Sequence, residues 1–420
     1  MKEKRPALNF SGYQKFIVFI LAFLQFTIVL DFMIISPLGD TLIKDLAIGT
    51  KEFGLVVSSY AFSAGISGIL AAGFADRFDR KKLLLFFYTG FLIGTLFCGL
   101  ATSYQALMIA RVITGLFGGV IGSIVLAIIA DLFDLNQRGR VMGFVQMAFA
   151  GSQILGIPFG IYISNVLNWH YTFIMIVVVA TAVLAVVIFK MKPITAHLDR
   201  KMDKHPVHHL WHTLKNPTYR IGFTATTFLA IGGFMIMPFS TPFLINNIHI
   251  SKEELPLLFM FTGISSMIIM PTVGRISDRV DKYKVFAFGS VVAMVLMIIY
   301  ANLPVIPLWE MVIINIFLFI GIMSRMVPAT SLNTSMPEIH DRGAYMSITA
   351  SLQQMAGGLG AVIAGFIVHQ ETEHSPIENF PILGYVVAGI ILITILLMKR
   401  VDTVVKKKLK PTDVSPPQTA

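Results

Sequence analysis

Asp31 and Arg111 stand inside long apolar runs of the sequence, where a charge is costly unless it meets a partner or a water-filled cavity. Asp31 follows Tyr13 by 18 residues and Arg111 follows Gln105 by six. On helices rising 1.5 Å per residue they sit about 27 Å and about 9 Å from the starts of their runs. If the first run starts inside a membrane and the fourth starts outside, both charges lie in the outer half and could face each other. A carboxylate there can take up and release a proton or recognise a cation. A neighbouring guanidinium alters its proton affinity or competes with a substrate for it. The plainer alternative is a static structural pair near the outer rim.

Candidate substrate contacts are Gln25 in the first run, Gln146 and Gln153 in the fifth, Asn315 and Arg325 in the tenth and Gln353 in the eleventh. Neutral amides can bond many ligands and can equally join helices. Arg325 can meet an anionic group, close an inner gate, or extend its head to nearby water. His205, His208, His209 and His212 cluster between the sixth and seventh runs. They lack a defined ligand geometry and read as a solvated linker with a short surface helix, so no metal and no cofactor is expected. Cys98, the one cysteine, reads as packing.

Such side chains need rigid carriers. The chain is 55% hydrophobic and 13% charged, whereas about a quarter of a soluble domain is charged. This composition predicts an all-α polytopic membrane protein. A span needs roughly 20 apolar residues, and runs of that order occur at 13–36, 52–74, 83–101, 105–131, 140–166, 169–191, 218–247, 253–274, 284–301, 306–333, 343–368 and 380–398. Twelve transmembrane helices are expected. The runs lack polar alternation, which excludes a barrel. The stretch from Phe16 to Leu30 follows basic residues as a signal peptide would, yet reads as the first span.

With both termini cytoplasmic, 28 of the 33 Lys and Arg residues fall inside and only Lys44, Lys51 and Lys252 fall outside. That bias matches the positive-inside rule and points to a multi-pass protein of the inner (cytoplasmic) membrane. The expected organisation is a six-helix bundle at 1–191, a cytoplasmic linker at 192–217, a second six-helix bundle at 218–398 and a basic cytoplasmic tail at 399–420. The net charge of +10 is not gathered into a polar domain able to hold a phosphate backbone, so nucleic acid is not an expected partner.

Two charged stretches recur. ADRFDRKK at 75–82 returns as SDRVDKYK at 277–284, and QRGRVMG at 137–143 returns as DRGAYMS at 341–347, at offsets of 202 and 204 residues. A duplicated six-span unit explains both. GFADRFDRKK, through Asp76, Arg77, Arg80, Lys81 and Lys82, resembles the signature loop Gly-x-x-x-Asp-Arg-x-Gly-Arg-Arg/Lys between spans 2 and 3 of the major facilitator superfamily. It departs from that pattern at Ala72 and Asp79. Gly274, Asp278, Arg279 and Lys282 form a weaker copy between spans 8 and 9. Arg111 and Gly115 resemble the Arg-x-x-x-Gly motif of proton-coupled members. Gly151, Gly156, Pro158 and Gly160 resemble a loosened antiporter motif, with Ile157 separating the last Gly-Pro pair.

The resemblance implies the major facilitator fold, two six-helix bundles giving alternating access to a central cavity. The signature loop is then a latch, with Asp76 facing the start of span 11 and Arg77 near the inner end of span 4, where Asp131 is available. Arg80, Lys81, Gly274, Asp278 and Arg279 belong to the same gating set, and Gly115, Gly156 and Pro158 let helices slide. The implied activity is secondary active transport: proton-coupled antiport exporting a small hydrophobic or cationic compound or drug. A transporter of a sugar, nucleoside or organic anion, working even in uptake, is the alternative, and a nontransporting membrane sensor or scaffold is the reading from another class. No nucleotide-binding lysine loop and no convergent nucleophile suggest a pump or an enzyme. The expected partners are a small-molecule substrate, protons and membrane lipids, with the chain acting as a monomer.

Overall fold

The computed structural model describes residues 10–72, 77–195, 198, 206–338, 340–372 and 375–409. Twelve helices in it are long and apolar enough to cross a membrane: Gly12–Ile34, Thr50–Ala71, Arg80–Leu100, Tyr104–Leu132, Arg140–Val166, Trp169–Lys190, Pro217–Asn246, Leu255–Arg279, Lys282–Ala301, Leu308–Thr334, Arg342–Ile367 and Phe380–Lys408. They are numbered spans 1 to 12 and form two six-helix bundles. Many large apolar side chains point outward, Phe189 at 82% exposure and Phe288 at 68% among them, as expected of a surface solvated by lipid.

Side-chain caps set several helix starts. Ser11 and Gln14 form a capping box on span 1. Asp79 accepts from the Lys81 amide at 2.9 Å to cap span 3, and Asp281 accepts from Lys284 at 3.1 Å to cap span 9. These two caps lie 202 residues apart, so the duplication extends to helix ends. Asp79 occupies a signature position usually held by glycine, and its carboxylate also accepts from the Ile194 amide at 3.0 Å. It thereby ties the exit of span 6 to the start of span 3.

Three elements differ from simple apolar runs. Span 7 is one helix through Pro238 and Pro242. Span 5 contains a π-helical turn at Ser152–Gly156, just before Pro158. Proline removes an amide donor, and a widened turn re-satisfies the backbone around it. The last helix does not stop at 398 but continues to Leu409. Its continuation buries Val401 and Val405 on one side, while Lys406 reaches Asp281 at 2.6 Å on the other.

The halves meet along spans 2 and 11 and along spans 5 and 8. A Cβ on Gly54 would lie 2.8 Å from the Ala361 carbonyl, and one on Gly263 would lie 3.0 Å from the Gln153 backbone. Only glycine permits these approaches.

Between the halves, a short helix at Pro206–Lys215 docks on the face that carries both ends of the described chain, here called the terminal face. His209 Nε2 lies 2.8 Å from the Asp341 carboxylate at the start of span 11, and the Tyr219 hydroxyl donates to its other oxygen at 2.8 Å. Lys408 donates to the carbonyls of Met336 and Pro337 in the same turn. The end of span 11 at the terminal face is therefore held from three elements.

Burial works to raise the pKa of Asp341, but hydrogen bonds from His209 and Tyr219 and the nearby His340 outweigh it and hold the carboxyl below the usual range. A depressed carboxyl stabilises the fold above its unfolded pKa, near 3.9, and that contribution is lost as pH falls through the folded value. Asp341→Asn is expected to lower the melting temperature at neutral pH, with the gap to wild type closing in acid below about pH 4. A gap independent of pH would contradict the charge-assisted contact.

Candidate functional site

The buried ion pair is built from spans 1, 3 and 4. Arg111 Nη1 donates to Asp31 Oδ2 at 2.8 Å and to the Asp31 backbone carbonyl at 3.3 Å, and both side chains are 0% exposed. The Thr95 hydroxyl donates to Asp31 Oδ1 at 3.1 Å. Among the described residues Arg111 Nε and Nη2 find no acceptor. The Tyr60 ring instead covers the guanidinium, with Arg111 Cζ 4.6 Å from the ring centroid. Tyr60 fits there because Gly115 and Gly118 leave room for it on span 4. The Arg-x-x-x-Gly spacing thus supplies the cation and, one turn on, the close approach of the span 2 backbone that carries Tyr60.

From this pair a sequence of ring contacts crosses to the other half. Tyr60 and Phe32 have centroids 5.3 Å apart, and Phe32 meets Phe234 of span 7 edge-on at 5.7 Å. Nearer the face opposite the termini, Phe53 of span 2 meets Phe239 of span 7 at 5.8 Å. Polar contacts seal that opposite face. Asn246 Nδ2 donates to Asp40 Oδ1 at 2.8 Å, Lys252 lies 3.5 Å from Asp40 Oδ2, and Lys44 bonds both Asp40 and Asn246. The Thr50 hydroxyl donates to the Val368 carbonyl at 2.9 Å, Asn165 donates to the Lys252 carbonyl at 2.7 Å, and Ser36 donates to the Met237 carbonyl.

On the far side of Phe234 the C-terminal half contains a cavity of about 140 Å³ between spans 7, 10, 11 and 12. Thr226, Thr330, Asn333, Thr349 and Gln353 give it polar groups, Met326 and Met346 give it flexible apolar wall, and among the described residues no charged one lines it. Asn333 is held by Thr226 at 2.6 Å and by the Tyr345 hydroxyl at 2.5 Å.

Models of protein families place this chain: that of the Major Facilitator Superfamily matches residues 21–361 and 223–418. The chain belongs to the Major Facilitator Superfamily. Among relatives, it is 24% identical over 353 residues to the uncharacterized MFS-type transporter YceJ of Bacillus subtilis (strain 168), covering 83% of this chain and 88% of that protein. It is also 24% identical over 380 residues to a probable sugar efflux transporter of Helicobacter pylori (strain ATCC 700392 / 26695), covering 86% and 91%. The solved structure of a D-xylose-proton symporter superposes with a TM-score of 0.76 at 15% identity, covering 92% of this chain and 97% of that one, and supports the fold. The protein is a Major Facilitator Superfamily transporter and a multi-pass membrane protein.

Within that superfamily fold the residues expected from sequence divide. Asp31 and Arg111 come together, as their depths allowed. Of the polar candidates, Gln353 lines the cavity. Gln153 is nearly buried where span 5 meets span 8, Asn315 donates to Met311 of its own helix, Gln146 is exposed and Gln25 is half-buried. Arg325 does not extend to water. It is 5% exposed, with Nε donating to Ser290 of span 9 at 3.2 Å.

In the signature loop, Asp76 lies outside the described residues. Asp131 is engaged by Arg80 at 3.0 Å rather than by Arg77, which is exposed. The correction follows from helix phase: span 3 begins at Arg80, whose side chain turns back toward span 4. Lys81 donates to the Ile188 carbonyl at 2.9 Å. In the second copy Gly274 is half-buried while Asp278 and Arg279 are exposed. Gly156 packs on Leu30 and Pro158 is buried beside it, so the loosened antiporter motif forms the seam between spans 1 and 5. Asp40 was missed because it lies beyond the first apolar run, and Asn246 because it is a neutral amide at the very end of the seventh. Their separation of 206 residues, close to the duplication offset, was the available signal.

Two outcomes are expected. In a Cys98→Ser background, a cysteine replacing Ser58 beneath the seal should react with an impermeant maleimide from the opposite face about tenfold faster when Asp40 is alanine, since a charge-assisted bond between the halves is lost. An unchanged rate would remove Asp40 from the seal. Gly115→Val should destabilise the protein in detergent by about 1–3 kcal/mol through overpacking against Tyr60. Gly122→Val, where a Cβ meets nothing within 4 Å, should leave the melting temperature unaltered.

Proposed function

We propose that this protein exports a small uncharged solute across the inner membrane in exchange for protons, with both termini in the cytoplasm. The observation that carries the proposal is the fully buried Asp31–Arg111 pair beneath the opposite-face seal. A proton arriving on Asp31 from outside cancels its charge and leaves Arg111 without its counter-ion. Leaving one member of a buried pair uncompensated costs about 3–5 kcal/mol. Such a difference is large enough to redirect an equilibrium between two bundle packings. The charge pattern of the sequence supports the orientation, since with both termini inside 28 of 33 Lys and Arg fall in segments on the cytoplasmic side.

The C-terminal cavity favours an uncharged solute over a cationic one. It offers hydroxyls, amides and methionine side chains but no carboxylate for a cation and no free cation for an acid. A compound with hydroxyl or carbonyl groups on one face and an apolar surface on the other suits those walls. A sugar or a neutral drug-like amphiphile meets that description, and the relative named as a probable sugar efflux transporter supports the former.

Proteoliposomes test the reading with a panel of radiolabelled aldoses, D-xylose included, and neutral lipophilic dyes. Wild type is expected to move at least one panel member against its gradient when a proton gradient is imposed. Asp31→Asn is expected to lose that accumulation, by about 10²-fold or more in initial rate, while still exchanging labelled for unlabelled solute. Gradient-driven accumulation that survives unchanged in Asp31→Asn would overturn the proposed role of Asp31.

A further inference from the structure

The ion pair and the solute cavity are joined by three rings that neither site requires for its own chemistry. Tyr60 lies over the Arg111 guanidinium at 4.6 Å. Its other side meets Phe32, which follows Asp31 directly in span 1, and Phe32 meets Phe234, a wall of the cavity. The Phe32–Phe234 contact is also a contact between the two halves, so it cannot persist unchanged when the opposite face opens. It is therefore a two-position element touched by both sites, which is what energetic coupling demands.

The two ends of this series of rings are held differently. Tyr60 is 1% exposed, with its backbone against Gly115 and its hydroxyl end against Gly118, so span 4 holds it at both places. Phe234 rests on Gly357 of span 11, where no side chain props it, and a Cβ there would lie 3.0 Å from the ring. In addition, the helical donor to the Phe234 carbonyl would come from residue 238, which is proline. The turn that carries Phe234 lacks one backbone restraint.

We infer that Tyr60, Phe32 and Phe234 are positioning residues that transmit the charge state of Asp31–Arg111 to the solute cavity. When Asp31 is neutralised, the guanidinium is released from it and Tyr60, stacked on that guanidinium, shifts against Phe32. Phe32 then withdraws support from Phe234, and the cavity wall changes position. A solute pressing on Phe234 acts on the same rings in reverse, because coupling between two sites is reciprocal. This inference rests on the proposed proton coupling, and it adds the route by which proton and solute exclude each other.

The test needs no solute. In a Cys98→Ser background, Thr330→Cys places a thiol on the cavity wall, and its reaction rate with N-ethylmaleimide reports the cavity's opening. Asp31→Asn, which fixes the neutral state, should change that rate by about threefold or more, the scale of coupling between contacting residues. In Tyr60→Leu or Phe234→Ala the same Asp31→Asn change should leave the rate within about 1.5-fold, whereas Tyr60→Phe, which keeps the ring, should preserve the response. Arg111→Gln serves as a second route to the broken pair should Asp31→Asn be poorly folded by size-exclusion chromatography. A response that persists in full without the Tyr60 or Phe234 ring, or no response to breaking the pair in the parent, overturns the inference. The accumulation measurement on Asp31→Asn stands apart from it. Coupled transport with a ring-independent thiol response sinks the relay alone, and uncoupled transport sinks the proton reading beneath it.

Discussion

A carboxylate and a guanidinium without solvent contact can persist among lipid-embedded helices only as a pair, and Asp31 with Arg111 imposes that condition on the N-terminal half. Spans 1 and 4 must keep their charged turns at equal depth, span 3 must bring Thr95 to the second carboxylate oxygen, and span 2 must present a ring to the unbonded side of the guanidinium. The glycines of span 4 follow from this. Gly115 lies against Ser63 and the Tyr60 backbone, and Gly118 against the Tyr60 hydroxyl. Replacing such a pair with apolar residues often leaves a protein as stable or more so, so stability alone is a weak reason for keeping it. A charge that can be switched by one proton is a stronger one.

The two halves use their shared ancestry unequally. The caps Asp79 and Asp281 repeat at the offset of the charged loops, yet their surroundings differ: Asp79 binds the exit of span 6, and Asp281 binds Lys406 at the end of span 12. Asp40, in the short helix Gly39–Asp45 that follows span 1, and Asn246, the last residue of span 7, are complementary partners on the opposite face. The N-terminal half retains the buried ion pair, while the C-terminal half retains an uncharged cavity. The buried ion pair and the uncharged cavity thereby lie in different bundles, with the ring contacts between them.

Most of the architecture was legible in the sequence because lipid forces each span to announce itself as an apolar run of fixed minimum length. Depth counting also placed Asp31 and Arg111 in the same layer. Side-chain phase was not legible. Whether Arg77 or Arg80 reaches Asp131 depends on where span 3 takes up its first turn, a matter of one Asp79 cap. Arg325 read as a charge seeking water or substrate, but a serine on span 9 lies within its reach and holds it inside the bundle. The extension of span 12 to Leu409 was hidden because lysines dilute the hydropathy while Val401 and Val405 alone carry the buried stripe. His209 and Asp341, 132 residues apart, have no local signature that joins them.

In the proposed exchange Asp31 takes up the coupled proton. Infrared difference spectroscopy on the protein in lipid, comparing acidic and alkaline buffer with and without isotope-labelled aspartate, reads that event directly. A protonated-carboxyl band that shifts with the aspartate label is expected to appear on acidification and to be missing from Asp31→Asn. The same band persisting at full intensity in Asp31→Asn would assign the proton elsewhere and contradict the account.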